Sequence, residues 1–268
     1  LTSTDAIRIQ TGEGAGDDVV ISGTLTGTDD DLTIDAGSSG DITLTGAVNL
    51  GTGSLTIVDA DTVVFGSTLA ASTFTQSDGT TSTTIGGALT LSGSFDFTGA
   101  ALTLSGAGNT VDGAFEVTNA GVFTTGDSAD ITVVGEFVQN GAGNSVIGAD
   151  LTSSSDGFAF GTNVTLTSTD AIRIQTGEGA GDDVVISGTL TGTDDDLTLD
   201  AGELGDVTLT GAVDLGTGSL TIVDADTVVF GSTLAASTFT QSDGTTSTTI
   251  GGALTLSGSF DFTGAALT

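Results

Sequence analysis

The chain has 268 residues, with 35 acidic side chains against two arginines, a net charge of −33, and no Cys, His, Lys, Met, Pro, Trp or Tyr. The lack of Cys excludes a disulfide framework and zinc–thiolate sites. The acidic balance disfavours nucleic acid and anionic lipid and makes cations the natural partners. No apolar run approaches the roughly 18 residues of a membrane-spanning helix, so no membrane insertion is expected in this segment.

The first residues of the chain also open a long repeat. The string LTSTDAIRIQTGEGAGDDVVISGTL begins at Leu1 and again at Leu166, a period of 165 residues. We interpret residues 1–165 as one full repeat of about eight coils and 166–268 as a partial second copy, within one continuous domain. Over 103 residues the two copies differ at five positions: Ile34/Leu199, Ser38/Glu203, Ser39/Leu204, Ile42/Val207 and Asn49/Asp214.

Short alternating strands follow one another inside each repeat. Apolar residues alternate with polar ones and end in Ser-Gly or Thr-Gly at 18–23, 41–46 and 101–106, with looser versions at 62–66 and 163–167. A second alternating strand follows each of them, and there is room for a third short one. Eight such units fill the repeat, about 20.6 residues each. No useful helical period is present, so the chain is predicted to be all-β.

A period near 20 residues with two or three short strands predicts one coil of a parallel β-helix, which must stack on its neighbours to bury its apolar face. Five Phe residues recur at intervals of 20 to 22 and predict one interior column: Phe74, Phe95, Phe115, Phe137 and Phe158. An antiparallel sandwich also tolerates alternating strands but does not explain this column. We therefore predict a right-handed parallel β-helix, a β-solenoid of about 13 coils with ~20–21 residues per coil.

Runs such as DLTIDAGSSGDITLTGAV and GSLTIVDADTVVFGSTLAASTFTQS resemble the giant β-strand-repeat surface proteins of bacteria. They are similar to filamentous-haemagglutinin and autotransporter-type adhesins, and the resemblance covers the whole chain. It implies export to the bacterial cell surface, a β-helical shaft, and a role in adhesion, cell envelope or extracellular matrix.

The acidic residues offer the main candidate site. One Asp precedes the first strand of each of three consecutive coils in each copy: Asp18, Asp41 and Asp61, then Asp183, Asp206 and Asp226. Stacked coils hold neighbours about 4.8 Å apart, where like charges repel by roughly 0.9 kcal/mol even in bulk water. Ca²⁺ accepts six to eight oxygen ligands and relieves such repulsion. The sequence leaves two alternatives open, a Ca²⁺ ladder and a solvated acidic edge.

Two further segments are weaker cation candidates. Asp29, Asp30 and Asp31, repeated at 194–196, lie in a loop that either binds a cation or keeps a turn in water. Residues 13–21 match the calcium-roll nonapeptide except at its first position. That roll needs adjacent copies of the motif, so a Gly-rich turn is the better interpretation.

The two cations and the outward threonines have simpler interpretations. Arg8 and Arg173 each lie between two isoleucines, so they point outward and are expected to pair with a neighbouring carboxylate. Regular Thr arrays are a feature of ice-binding β-helices, but here the outward positions are mixed with Asp, Glu, Val and Arg. Ordinary strand threonines are therefore expected.

The function predicted from the sequence is structural or adhesive: a rigid extracellular rod or filament segment of a giant surface protein. The alternative is a calcium-dependent module that recognises glycans or neighbouring rods through a repeated acidic face. Lateral or end-to-end self-association with identical rods is a further expectation. Catalysis is not expected, because only carboxylates are available as acid and base and a near-identical duplicated surface offers no singular site.

Overall fold

The structure, a computed structural model, describes residue 1 and residues 6–268, and all regular structure in that part is β. It contains 36 strands of two to five residues, arranged as three parallel sheets of 12 strands each. Every third strand joins the same sheet, so the chain winds through 12 coils of three strands. The predicted all-β parallel solenoid is confirmed, with 12 coils where about 13 were expected. The right-handed sense of the winding stays a prediction.

The first sheet contains the first strand of every coil. Its strands are β1 Ile7–Gln10, β4 Leu32–Asp35, β7 Leu55–Ile57, β10 Phe74–Gln76, β13 Phe95–Gly99, β16 Phe115–Asn119, β19 Phe137–Gln139, β22 Phe158–Phe160, β25 Val184–Ile186, β28 Val207–Leu209, β31 Thr227–Phe230 and β34 Ser247–Ile250.

The second sheet contains the second strand of every coil. Its strands are β2 Val19–Ile21, β5 Ile42–Leu44, β8 Thr62–Phe65, β11 Ser82–Ile85, β14 Ala101–Leu104, β17 Phe123–Thr125, β20 Ser145–Ile147, β23 Val164–Leu166, β26 Leu190–Thr191, β29 Val213–Asp214, β32 Leu234–Ala236 and β35 Leu254–Leu256.

The third sheet contains the third strand of every coil. Its strands are β3 Leu25–Thr26, β6 Val48–Asn49, β9 Leu69–Ala71, β12 Leu89–Leu91, β15 Asn109–Val111, β18 Ile131–Val133, β21 Leu151–Ser153, β24 Ile172–Gln175, β27 Leu197–Asp200, β30 Leu220–Ile222, β33 Phe239–Gln241 and β36 Phe260–Phe262.

The alternation of inward and outward side chains along each strand determines which residues form the core. In most strands the outer two residues are buried and the middle one is half-buried or exposed, as in β7, where Leu55 and Ile57 are 0% exposed. Successive residues of a strand point to opposite faces, so one apolar pair per strand lines the interior. Because each coil pairs with the next in all three sheets, these residues form one continuous apolar core along the rod.

The predicted phenylalanine column is confirmed in the first sheet. Phe74 pairs with Phe95, Phe95 with Phe115, Phe115 with Phe137 and Phe137 with Phe158. The first three ring pairs are stacked, with centroids 4.9, 4.3 and 5.1 Å apart, and the fourth is tilted at 5.3 Å. Such pairs add about 0.5–1.5 kcal/mol each beyond the burial of their area.

The strand count places the two copies of the repeat on different sheets. The sequence that forms β1 in the first sheet forms β24 in the third sheet in the second copy. The 165-residue repeat therefore spans 23 strands, which is seven coils and two further strands. In the described residues there is no helix that is long and apolar enough to cross a membrane.

Candidate functional site

The structure brings two of the three predicted aspartates together in each copy. Val19 pairs with Ile42, so Asp18 and Asp41 are neighbours, but Ile42 pairs with Val63, so the neighbour of Asp41 is Thr62 and not Asp61. The second copy repeats this register, with Asp183 beside Asp206 and Asp206 beside Thr227. The predicted ladder of three is therefore a pair with its third member one residue out of register.

The paired carboxylates bind the backbone of the next coil. Asp18 Oδ1 accepts a hydrogen bond from Asp41 N at 3.0 Å, and Asp41 Oδ1 accepts one from Thr62 N at 3.2 Å. In the second copy the matching distances are 2.8 and 3.0 Å. Each side chain thus satisfies a backbone N–H at the corner where the strand begins, as an N-cap does for a helix.

The same capping recurs wherever Asp or Asn immediately precedes a strand in a suitable register. The donors of the further bonds lie in the coil that follows the acceptor. In each bond a side-chain Oδ1 accepts from a backbone N–H at 2.7 to 3.1 Å: Asp31 from Ser54, Asp130 from Asp150, Asp150 from Arg173, Asn163 from Thr189 and Asp196 from Ser219. The sequence showed the position of these residues, but their role as caps depends on the register between coils.

The out-of-register aspartates bind hydroxyl groups. Asp61 Oδ1 accepts hydrogen bonds from Thr80 Oγ1 at 2.7 Å and Thr81 Oγ1 at 2.5 Å. Asp226 accepts from the matching Thr245 and Thr246. These bonds favour the charged carboxylate and hold the pKa of both Asp61 and Asp226 below the ordinary value.

The three consecutive aspartates at 29–31 have separate surroundings. Asp29 is exposed, Asp30 is buried at 5% exposure, and Asp31 caps the next coil. In the second copy Asp195 accepts hydrogen bonds from Ser168 N at 2.8 Å and Thr193 N at 3.2 Å. These carboxylates are therefore directed to different backbone partners.

The glycine-rich segment at 13–21 and its counterpart in the second copy each contain a turn that is held by a hydrogen bond within the segment. Asp17 Oδ2 accepts a hydrogen bond from Gly14 N at 2.8 Å, and Asp182 Oδ2 from Gly179 N at 2.7 Å. Across the part of the chain that the structure describes, no group of three or more acidic side chains is placed to hold a metal ion. Calcium binding stays a prediction, both for the six aspartates Asp18, Asp41, Asp61, Asp183, Asp206 and Asp226 and for the loop at 29–31.

Both arginines pair with a carboxylate on the next coil, as expected, two residues beyond their direct neighbours Thr33 and Thr198. Arg8 binds Asp35 at 2.8 Å, and Arg173 binds Asp200 at 2.6 Å. The arginine side chains are about half exposed, while the aspartates are nearly buried. Each arginine therefore neutralises an acid that the fold has largely removed from water.

Sequence reasoning missed a group of acids at the end of the first strand of successive coils and in the corner that follows it. Glu13, Asp35, Asp59 and Asp78 belong to four successive coils, and Asp59 Oδ1 is buried without a hydrogen-bond partner among the described residues. Burial, and then the charges of Asp78, Glu13 and Asp35, raise the pKa of Asp59. Asp224 repeats this in the second copy, where burial and the matching acids raise its pKa. The spacing of these acids at coil intervals is the signal that identifies them.

A second acidic contact joins Asp96, in the duplicated part of the repeat, to Glu116, in the part that occurs once in the chain. Asp96 and Glu116 are direct neighbours in the first sheet, and burial together with Glu116 raises the pKa of Asp96. Burial, followed by the charges of Asp156 and Glu116, also raises the pKa of Glu136.

One outward row of side chains is the same in both copies, and we call it the polar file. On the first sheet it runs Arg8, Thr33, Thr56, Thr75 and Asp96. On the third sheet it runs Arg173, Thr198, Thr221, Thr240 and Asp261. Each of these strands contributes one residue to the row, and the three threonines of each copy lie between its arginine and its aspartate.

No protein-family model, no curated protein and no solved structure matches the chain. The geometry and charge of the rod are therefore the basis for its proposed function.

Proposed function

We propose that this chain is a rigid extracellular shaft, a spacer or filament segment of a giant bacterial surface adhesin. The observation that carries the proposal is the continuity of the rod. Three sheets of 12 strands run without interruption from one end to the other over one apolar core. A solenoid of this kind has unpaired strand edges only at its two ends.

The shaft function is mechanical. Bending the rod breaks interstrand hydrogen bonds in one of the three sheets and opens the apolar column beneath it. Twelve coils at ~4.8 Å per coil give a length of about 58 Å. Over that length the net charge of −33 corresponds to about one charge per 2 Å, similar to duplex DNA. The rod therefore carries a cation atmosphere, and at low salt its negative charge keeps neighbouring rods apart.

An extracellular bacterial location is part of the same proposal. It is supported by the resemblance of the repeats to adhesin shafts and by the lack of cysteine, a residue that is a liability during export. The proposal includes no catalytic role. The carboxylates are approached by arginines, threonines, amides and other carboxylates, and the raised pKa of Asp59 recurs at its counterpart Asp224 in the second copy.

A calcium-dependent binding module for glycans or neighbouring rods is the second candidate. The in-register pairs Asp18–Asp41 and Asp183–Asp206 favour it, because two carboxylates one coil apart attract a cation. In this case the rod is expected to gain stability from calcium, and glycan binding is expected to increase with the number of repeats.

Small-angle X-ray scattering and thermal melting by circular dichroism distinguish the two candidates. A shaft gives a rod cross-section and a length of about 58 Å in EDTA, and calcium shifts the melt no further than NaCl of matched ionic strength. A glycan array then gives no signal. A compact particle in solution contradicts the shaft, while a calcium-specific shift together with glycan signal favours the binding module.

A further inference from the structure

One long face of this strongly acidic rod carries no charge on its strands. The strands of the second sheet from β2 to β26 contain no acidic or basic residue, and the next strand along the sheet, β29, introduces Asp214. One outward residue of each strand pairs with the next in an unbroken row from Val20 to Thr191, made of three valines and six threonines. We call this outward surface, from β2 to β26, the neutral face.

The other two sheets present acids over the same coils. Asp96 and Glu116 are direct neighbours on the outward row of the first sheet. At the third sheet Asp112 follows β15 and Asp130 precedes β18. Two rods that approach through these surfaces bring like charges together, which costs free energy and is reduced by salt. On the neutral face a neighbouring rod meets no carboxylate on the strands themselves.

The shape of the neutral face suits close packing of a second sheet. The residues that follow β8, β11, β17 and β20 are all glycine, so no side chain rises at that border. Val20 is 62% exposed and Val122, which precedes β17, is 41% exposed, so burial of these side chains is favourable. Thr165 and Thr191 share a hydrogen bond between their hydroxyl groups at 3.3 Å, and they keep this partner when water is excluded.

We propose that the neutral face binds the neutral face of a second copy of the rod. The inference rests on the shaft function and deepens it, because it names the surface through which shafts associate side by side. A second copy fits because its coils have the same spacing of ~4.8 Å, so the valine and threonine rows of the two rods stay in register along their length. A partner with another spacing loses this match after a few coils.

The area of the neutral face sets the strength of this association. Nine strands span about 38 Å along the rod, and five residues of each coil span about 13 Å across it. The contact therefore buries about 500 Å² on each rod and about 1,000 Å² in the pair, which is the lower limit for a specific interface. Asp18 and Asp41 lie at its border, beside the first strands. We expect weak pairs that become stronger as salt screens these border charges.

Analytical ultracentrifugation of the full chain in EDTA tests the proposal. The variant Thr103→Asp/Thr124→Asp places two charges on neighbouring strands of the neutral face. The matched control Thr110→Asp/Thr132→Asp places them on neighbouring strands of the third sheet, in the same two coils. We expect pairs of the natural chain and of the control, increasing with NaCl, and association of the neutral-face variant weakened by at least about tenfold. Equal weakening by both variants, weakening by neither, or a natural chain that stays monomeric at high salt overturns the proposal. So does association that appears only when calcium replaces EDTA.

Disulfide cross-linking measures contact at the face itself, because the natural chain has no cysteine. Thr103 is the middle residue of the nine in the row, so it lies close to its own counterpart in a symmetric pair of rods. We expect Thr103→Cys to form a disulfide-linked dimer on mild oxidation, and the control Thr110→Cys on the third sheet to form much less. Equal yields, or a higher yield from Thr110→Cys, overturn the proposal. Small-angle scattering at low salt tests the single rod separately, so failure of the shaft function is distinguished from failure of pairing.

Discussion

The two copies of the repeat allow two nearly identical sequences to be compared within one molecule. Strands β1 to β13 of the first copy and β24 to β36 of the second follow the same order, with matching caps and ion pairs, yet the matching strands lie in different sheets. Asp18 and Asp183 cap the next coil alike, although one precedes a strand of the second sheet and the other a strand of the first. Local sequence therefore determines strand and cap, whereas the sheet is determined by how many strands precede it.

The five differences between the copies show how much variation this arrangement tolerates. Ile34 and Leu199 are both 0% exposed, as are Ile42 and Val207, so the core accepts aliphatic side chains of different shape at one position. Asn49 and Asp214 both accept a hydrogen bond from the glycine two residues ahead, at 3.0 and 3.1 Å. Leu204 is 56% exposed where the first copy has a serine, and nothing in the structure explains this change.

The largest expected effect compares one phenylalanine in its two environments. Phe95 is 0% exposed and stacks on a ring at each side, whereas its counterpart Phe260 is 38% exposed and stacks on Phe239 and a ring of its own strand. We expect Phe95→Ala to lower the free energy of unfolding by about 3–5 kcal/mol, because it leaves a cavity in the column. Phe260→Ala is expected to cost about 1 kcal/mol, in proportion to its smaller buried area.

Chemical denaturation of both variants measures these losses. Phe95→Leu is the control for the ring contacts, since it keeps an apolar side chain in the column, and is expected to cost clearly less than Phe95→Ala. Equal losses for the two alanine variants would contradict the view that the column is stabilised by rings on both sides.

The column is also the part of the fold that the sequence predicts best. Large apolar side chains that recur once per coil must stack on one another. The column from Phe74 to Phe158 can therefore be predicted without knowing how the chain turns at the corners of each coil. The third strand of each coil is harder to recognise, because β3 and β6 have two residues each, too few for a period to be read from the sequence. The shift by one sheet was not foreseen for this reason.

The candidate site depended on details that spacing alone does not determine. Asp41 and Asp61 are 20 residues apart, but the strands that follow them pair at a distance of 21, as Ile42 pairs with Val63. One extra residue in a corner therefore moves Asp61 out of the ladder and towards Thr80 and Thr81. The caps were missed because a side chain that binds the next coil can be identified only when the register is known.

The pH dependence of stability is the next effect, and it separates two kinds of acid that occur in both copies. Asp59 and Asp224 have a raised pKa in the fold, so the folded state binds protons more readily than the unfolded state. Their contribution is fully present below the ordinary carboxyl pKa and is lost as pH rises through the raised value. We expect the melting temperature to rise as pH is lowered from neutral into the mildly acidic range.

Asp61 and Asp226 have a lowered pKa, so their contribution has the opposite sign. It is present above the ordinary carboxyl pKa and is lost as pH falls through the lowered value. The double variant Asp59→Asn/Asp224→Asn is expected to flatten the rise on mild acidification, and Asp61→Asn/Asp226→Asn to leave it unchanged. A rise that survives the first double variant would show that other acids cause it.

The smallest expected effect concerns the caps and distinguishes them from metal ligands. Asp183→Ala removes the acceptor of Asp206 N and is expected to cost about 1 kcal/mol. Asp183→Asn keeps an oxygen at the same place and removes one of two like charges on neighbouring coils, so we expect no loss of stability in EDTA. The same pair of changes at Asp18 is expected to have a smaller effect, because Asp18 is exposed in the first coil.

Calcium makes this comparison decisive, because capping and coordination need different chemistry. A cap needs a side-chain oxygen, which Asn supplies, whereas calcium at this pair is attracted by two carboxylate charges, of which Asn removes one and so weakens binding. Thermal melts of Asp183→Asn in EDTA and in calcium therefore separate the two roles. If the natural chain gains stability from calcium and the variant does not, the pair Asp183–Asp206 binds the ion. Equal responses mean that these aspartates cap the strands, and the acidic rows along the rod then affect stability through their charge alone.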